Sequence, residues 1–261
     1  MRIRIISAVL AVPLFLFVVM KKGIILDISI AILALIAISE FYNAFKNMDI
    51  FPSMSISVFS IIFMFIINLK SITIEMIMVW FFINMLLILI SNLFKKEFDI
   101  LSLSITAMGT YYIVFFMYHI VFIAHHYKYS QLIWMIFIVA WATDTFAYFT
   151  GYFLGSRKLC PKISPKKTVE GAIGGILGSV IISSIFAYYV VPEILYHCIL
   201  IGFLGSILGQ LGDLTASIFK RYTGIKDFGK IMPGHGGILD RFDSILFTAP
   251  AVYYYIVLFI K

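Results

Sequence analysis

Charged residues are scarce in this chain of 261 residues, where Asp, Glu, Lys and Arg together make up only 13%. In soluble globular domains roughly a quarter of the residues are charged, and here the hydrophobic share reaches 62%. This deficit excludes an ordinary soluble domain. Apolar runs of about 17 to 25 residues, each long enough to cross a roughly 30 Å hydrocarbon core as a helix, predict an all-α, polytopic integral membrane protein.

Several motifs are also absent. Cys160 and Cys198 are the only cysteines and lack C-x-x-C spacing, so neither a disulfide framework nor a thiolate metal site is indicated. Without a G-x-x-x-x-G-K-[ST] motif, the chain cannot hold a nucleotide in a Walker loop. The basic N-terminus precedes an apolar run but has no A-x-A cleavage site. We therefore predict a retained first span and no cleaved signal peptide.

The apolar runs predict nine membrane spans in a single membrane domain, 1–261. Their approximate ranges are 5–20, 24–42, 51–69, 74–94, 100–124, 131–153, 170–191, 194–219 and 238–260. Residues 1–130 are predicted to be mainly a helix-packing, lipid-facing half, and 131–261 the catalytic half. Glu40 lies at the end of a predicted span, where an exposed charge is expected.

The distribution of basic residues supports this number of spans. With the N-terminus inside, 15 of the 20 Lys and Arg residues fall on the cytoplasmic side, as the positive-inside rule requires. One span more or fewer before residue 154 would place the two most basic loops, 154–169 and 220–237, outside. We therefore predict a multi-pass protein of the cell (plasma) membrane with both loops in the cytoplasm. The net charge of +7 suits anionic lipid headgroups and nucleotides better than nucleic acid.

The densest polar stretch, 217–243, reads SIFKRYTGIKDFGKIMPGHGGILDRFD. Its Lys and Arg side chains can neutralise phosphate. Asp240 and Asp243, three residues apart, would share a helix face and can hold a divalent cation. Asp213 lies four residues before Ser217, so these two also share a face. A hydrogen-bonded pair between helices is the alternative for Asp213 and Ser217, and ion pairs with Arg241 or Arg221 are the alternative for the two aspartates.

The stretch resembles the signature of the phosphatidate cytidylyltransferase family, the CDP-diacylglycerol synthases: S-x-[apolar]-K-R, K-D-x-G and P-x-H-G-G-x-x-D-R-x-D. Every defining position is present, although the match covers only about a tenth of the chain. The resemblance implies transfer of the cytidylyl group of CTP to phosphatidate in phospholipid biosynthesis. It also implies Mg²⁺, a second and monovalent ion such as K⁺, and a homodimer.

On this resemblance we assign metal binding to Asp213, Asp240 and Asp243. Catalytic roles are assigned to Asp213, Lys220, Arg221, Lys226, Asp227, His235, Asp240, Arg241 and Asp243. Besides the alternatives given above for the aspartates, two further assignments are open. Lys226 and Asp227 can be a solvated surface pair, and His235 can either donate to phosphate or shape a turn between glycines.

A second polar cluster runs from Asp144 to Gly171. Asp144 lies in an apolar span, where an ionisable residue is costly enough to indicate function or a buried partner. The loop that follows is basic, and its two prolines prevent it from continuing as a helix. Thr168, Glu170 and Gly171 open the next helix, whose N-terminal amides can receive an anion.

This cluster resembles the nucleotide half that cytidylyltransferases share with CTP-dependent lipid kinases such as dolichol kinase. Ordinary cytoplasmic positive charge is the alternative explanation. Substrate binding is assigned to Asp144, Arg157, Lys158, Lys162, Ser164, Lys166, Lys167, Thr168, Glu170 and Ser217. The glycines after the cluster, at 171, 174, 175 and 178, predict close helix packing or dimerisation.

Two rival functions remain open. A CTP-dependent lipid kinase would transfer the γ-phosphate, but the H-G-G-x-x-D-R-x-D end of the signature argues against it. A membrane transporter would use Asp144 and Asp213 as coupling-ion sites, but the chain lacks the paired broken helices of many transporters. A CDP-alcohol phosphotransferase is disfavoured because the chain has no D-G-x-x-A-R core.

Overall fold

The computed structural model describes residues 2–70, 73–91, 93, 99–234 and 236–260, without the side chains of residues 2–8 and 10. Helices dominate because a backbone in hydrocarbon must satisfy its own hydrogen bonds. The helices are α1 Arg2–Lys21, α2 Gly23–Lys46, α3 Met54–Leu69, α4 Ile74–Ser91, α5 Ile100–Gly109, α6 Phe116–Ala124, α7 Ile133–Leu154, α8 Val169–Val190, α9 Leu195–Tyr222 and α10 Leu239–Phe259. A π-helical segment, Thr110–Phe115, joins α5 to α6.

In the described part of the chain, seven helical segments are long and apolar enough to cross a membrane. Two shorter apolar helices, Ala11–Lys21 and Met54–Leu69, lie at the two remaining predicted spans. Each of the nine predicted ranges thus corresponds to an apolar helix. The all-α, polytopic membrane fold is confirmed.

The basic loop between α7 and α8 forms a small hairpin that the sequence did not predict. Strands β1 (Lys158–Cys160) and β2 (Ser164–Thr168) are antiparallel. Pro161 lies in the turn between the strands, where its fixed φ is tolerated. The hairpin ends directly at α8, because Val169 N–H donates to the Arg157 carbonyl at 2.9 Å.

The chain divides into two compact units, each of which combines separate stretches of sequence. Unit 1 comprises Met1–Phe122 and Thr223–Arg241, and unit 2 comprises Ile123–Tyr222 and Phe242–Lys261. Unit 1 therefore contains α1 to α5 together with most of the polar stretch that follows α9. Unit 2 contains α7, α8, α9, the hairpin and the greater part of α10.

Close packing of α7 against α8 uses the glycine spacing noted in the sequence. A Cβ atom on Gly175 would lie 2.9 Å from the Thr143 carbonyl oxygen, and one on Gly178 would overlap the Phe146 ring. Since only glycine permits this approach, the small residues allow two helices of one chain to pack. This contact holds the hairpin at the ends of α7 and α8.

Candidate functional site

A pocket of about 530 Å³ lies in unit 2, within the size range of small-molecule sites. Its lining includes six of the predicted site residues, namely Asp144, Lys158, Lys166, Lys167, Thr168 and Asp213. These residues come from α7, the hairpin and α9. The structure thus brings the basic cluster and Asp213 to one cavity, although 46 residues separate Lys167 from Asp213.

Lys167 and Asp213 form an ion pair across this pocket, with Nζ to Oδ2 at 2.5 Å. Both side chains are 28% exposed, so the pair borders the cavity and is not sealed in the core. The pair joins β2 to α9. It also directs the Asp213 carboxylate towards the basic hairpin.

A second carboxylate, that of Asp243 on α10, interacts electrostatically with charged residues of α7 and α9. The charges of Asp213 and Asp144 repel it, and Lys220 attracts it. Its Oδ1 accepts the N–H of Ser244 at 2.9 Å. A Cβ atom on Gly212 would lie 2.6 Å from the Asp243 carbonyl oxygen, so glycine at this position lets α9 pack closely against α10.

The end of α9 contacts the hairpin through Arg221, whose Nε donates to the Ile163 carbonyl at 3.2 Å. Ser217 donates to Asp213 Oδ1 over a long 3.5 Å, in agreement with the shared helix face expected for this pair. Lys220 lies in the last turn of α9, where a positive charge also interacts favourably with the helix dipole.

Two of the predicted binding residues have structural contacts. Glu170 accepts hydrogen bonds from Ser156 N–H at 3.1 Å, Ser156 Oγ at 2.7 Å and Arg157 N–H. Thr168 caps α8, because its Oγ1 accepts the Gly171 N–H at 3.1 Å. These bonds hold the start of the hairpin against α8, so both residues shape the pocket.

The remaining residues of the hairpin assignment lie apart from this cavity. In the described structure Arg157, Lys162 and Ser164 are not among the residues that line it. Arg157 and Lys162 are exposed to solvent, and Ser164 is half-buried opposite Cys160 in the ladder. Their roles in binding stay predictions.

The signature residues of unit 1 differ widely in exposure. Lys226, Asp227 and Arg241 are exposed, whereas Asp240 is only 5% exposed. Asp240 Oδ2 accepts the N–H groups of Phe228 at 2.8 Å and Gly237 at 3.0 Å. Asp240 thereby closes the loop before α10. The prediction for His235 lies outside the described residues.

The expectation that Glu40 is exposed at a span end is wrong. The side chain is 5% exposed, because α2 continues to Lys46 and Glu40 lies more than a turn inside the helix. Its carboxylate accepts the N–H groups of Ile238 and Leu239. An ionisable residue in an apolar run requires a partner. The position of Glu40 in such a run could therefore have predicted from the sequence that its side chain is buried.

Tyr148, Tyr152 and Gln210 line the pocket but were not predicted. The two tyrosine rings stack with centroids 6.3 Å apart. Both follow Asp144 along α7 at intervals of four residues, and side chains at this spacing share one helix face. For the two tyrosines the spacing was therefore a usable signal.

Among the described residues, no group of three or more His, Cys, Asp or Glu side chains is arranged to hold a metal ion. The metal assignment to Asp213, Asp240 and Asp243 stays a prediction. Asp213 and Asp243 nevertheless fit Mg²⁺ by donor chemistry, because this ion favours one or two carboxylates together with substrate phosphates over a cage made entirely of protein.

Comparison with known proteins extends the resemblance beyond the two polar stretches. Residues 2–259 match the Cytidylyltransferase family. A phosphatidate cytidylyltransferase of Staphylococcus epidermidis is 36% identical over 256 residues, and those of Staphylococcus haemolyticus and Staphylococcus aureus are 37% identical over 258 and 256 residues. Each alignment covers 96% of both chains. With similarity along nearly its entire length, this protein belongs to the cytidylyltransferase family.

Proposed function

We propose that this protein transfers the cytidylyl group of CTP to phosphatidate, forming CDP-diacylglycerol and pyrophosphate. One observation carries the proposal: a basic hairpin and the Asp213 carboxylate meet in one pocket. A nucleoside triphosphate such as CTP carries several negative charges, so its binding site needs positive charge around the phosphates. The relatives that bear the name phosphatidate cytidylyltransferase align over 96% of the chain, which favours this reaction over the γ-phosphate transfer of a lipid kinase.

The chemistry requires charge neutralisation more than a strong base. A phosphate monoester has a second pKa near 6, so the phosphatidate oxygen that attacks the α-phosphorus of CTP is already largely ionised at neutral pH. The main barrier is the repulsion between two anions. Lys158, Lys166 and Lys167 place positive charge at the pocket and would neutralise the phosphates of bound CTP.

We assign Mg²⁺ to the carboxylates of Asp213 and Asp243. When bound, this ion would neutralise phosphate charge and orient the reacting oxygens. Lys167 holds the Asp213 carboxylate at the pocket, and Ser244 N–H orients that of Asp243. The hydrogen bonds of Asp240 favour a structural role for this third predicted ligand. A monovalent ion such as K⁺ remains an implication of the family resemblance.

CTP carrying a radioactive label at either the α-phosphate or the γ-phosphate tests the proposed reaction. Purified protein is incubated with each form and with phosphatidate in mixed micelles. Lipid labelled only from the α-position means cytidylyl transfer, and lipid labelled only from the γ-position means a kinase. Absence of lipid label from both forms would leave the transporter hypothesis.

The basic loops 154–169 and 220–237 are proposed to face the cytoplasm, because CTP is a cytoplasmic, water-soluble donor. A cell-membrane location and a homodimer complete this proposal. In a protein whose native Cys160 and Cys198 are replaced by serine, single cysteines introduced in each loop should react with an impermeant maleimide only after the cells are opened. A cysteine at position 261 should react in intact cells. Labelling of both loops in intact cells would contradict the topology and the cytoplasmic site.

Neutralising Lys166 and Lys167 separately should produce two different kinetic defects. Lys166→Gln should raise the KM for CTP about 10-fold with little change in kcat, because this side chain lines the pocket and would contribute uniform binding. Lys167→Gln should also lower kcat, since it removes the partner of Asp213. Steady-state kinetics with varied CTP separates these effects.

Lys46→Gln is the control, because Lys46 is an exposed lysine at the end of α2 and is not among the residues assigned to binding or catalysis. It should retain the KM and kcat of the unmodified protein. If the Lys166 variant instead kept its KM for CTP and lost affinity for phosphatidate, the hairpin would bind the lipid headgroup.

A further inference from the structure

Glu40 contacts the backbone at the start of α10, 198 residues later in the chain. Oε1 accepts the Ile238 N–H at 3.1 Å, and Oε2 accepts the Leu239 N–H at 2.9 Å. The first N–H groups of a helix lack partners within the helix, and a negative charge at this end is favoured by the helix dipole. Both carboxylate oxygens of Glu40 therefore cap the beginning of α10 by accepting backbone N–H groups.

The backbone of the loop before α10 packs closely against this carboxylate. A Cβ atom on Gly229 or Gly237 would overlap the Glu40 side chain, so only glycine allows the backbone to come this close. The ring of Phe228 lies 6.2 Å from that of Phe41, the neighbour of Glu40 on α2. The loop therefore contacts α2 near both of its ends, at Phe228 and Gly229 and again at Gly237.

Asp240 completes the same arrangement from the other side. It accepts the N–H groups of Phe228 and Gly237. Glu40 accepts those of the two residues that follow Gly237, namely Ile238 and Leu239. Two buried carboxylates together satisfy four backbone donors between residues 228 and 239. These acidic side chains therefore hold the backbone at the two ends of this segment.

The helix that carries Glu40 is itself fixed within unit 1. Tyr42, two residues later, shares a hydrogen bond with Ser57 Oγ at 2.6 Å and donates to the Thr106 carbonyl at 3.0 Å. Phe41 and Phe45 pack edge to face with centroids 5.0 Å apart. These contacts anchor α2 to α3 and α5, so Glu40 presents its carboxylate from a rigid support.

We propose that Glu40 is a positioning residue for the reaction, acting through the segment Phe228–Leu239. This inference rests on the proposed function and on the catalytic roles that the family resemblance implies for the signature residues on either side of the segment. The segment connects two groups of signature residues, Lys226 and Asp227 before it and Asp240 and Arg241 at the start of α10. Loss of the Glu40 carboxylate would release the segment and misplace these side chains without removing any of them.

Glu40→Gln tests the proposal because glutamine keeps the size of the side chain but retains only one accepting oxygen. We expect kcat to fall roughly 10²-fold, the loss that a displacement of about 1 Å can cause. The KM for CTP should change less than about twofold, because the pocket residues stay in place. In hydrogen–deuterium exchange, the amides of residues 228–239 should exchange faster than in the unmodified protein.

Asp27→Asn is the matched control. Asp27 is also a buried carboxylate on α2, but it pairs with Asn68 at 2.7 Å and lies 13 residues before Glu40. This variant should retain kcat and should leave the exchange of residues 228–239 unchanged. A similar loss of kcat in both variants would indicate a general effect of acidic residues in α2 and would overturn the proposal.

The same measurements distinguish the two proposals from each other. If the unmodified protein transfers no label from the α-phosphate of CTP, the proposed function fails, and the exchange experiment still tests the role of Glu40. If the unmodified protein is active and Glu40→Gln changes neither kcat nor exchange, only the inference about Glu40 fails. Should Glu40→Gln not fold, Gly237→Ala perturbs the same contact, and unchanged kcat and exchange in that variant would overturn the inference.

Discussion

Asp213→Asn should lower kcat for cytidylyl transfer about 10²–10³-fold, the scale on which electrostatic stabilisation of developing charge acts. Asparagine nearly preserves the shape of the side chain but removes its charge. Asp213 borders the pocket and pairs with Lys167, so the substitution unbalances the charge where the phosphates are proposed to bind. Asp243→Asn should behave similarly, because its carboxylate interacts with that of Asp213.

Steady-state kinetics with phosphatidate in mixed detergent micelles, at saturating and at limiting Mg²⁺, measures this effect. Glu193→Gln is the control, because Glu193 is an exposed carboxylate in the turn before α9. It should retain full activity at both Mg²⁺ concentrations. Turnover of Asp213→Asn close to that of the unmodified protein at limiting Mg²⁺ would show that this carboxylate is dispensable.

The second large effect is expected at Asp240, where the loss should be one of stability. Asp240→Ala leaves the N–H groups of Phe228 and Gly237 without their acceptor. Each buried, unsatisfied donor costs about 1–3 kcal/mol, so for the two donors the free energy of unfolding should fall by about 2–6 kcal/mol. Asp240→Asn should lose less stability, because its carbonyl oxygen can still accept.

Thermal unfolding in detergent, followed by the fraction of protein that stays monodisperse, ranks these variants. Asp227→Ala is the control, since Asp227 is an exposed carboxylate in the same loop; its unfolding midpoint should not change. A stable but inactive Asp240→Ala variant would be evidence against the structural role and in favour of the predicted metal role.

The membrane helices were predictable because the signal for them is local. Nine apolar runs correspond to helices in the structure, since length and hydrophobicity alone decide whether a segment can cross a bilayer. The hairpin was not predictable in this way. Its strands have three and five residues and are rich in lysine and proline, a composition that does not favour strands, and pairing across a short turn decides their conformation.

The candidate site was only partly visible in the sequence. The signature and the basic cluster identified Asp213, Lys166 and Lys167 as site residues, because their types and spacings match a family pattern. The same pattern grouped Asp240 with Asp243 from their spacing on one helix. In the structure Asp240 binds backbone amides of the preceding loop, whereas Asp243 interacts with Asp213 and Asp144.

By itself, the sequence determined the class of protein, the positions of its membrane helices and the chemical character of its two polar clusters. These properties depend on residue type and on spacing within one segment. The tertiary structure alone decided which distant groups meet: Lys167 with Asp213, and Glu40 with the start of α10. Such contacts depend on how each helix is rotated and packed against its neighbours, and the periodicity within a single helix does not specify that arrangement.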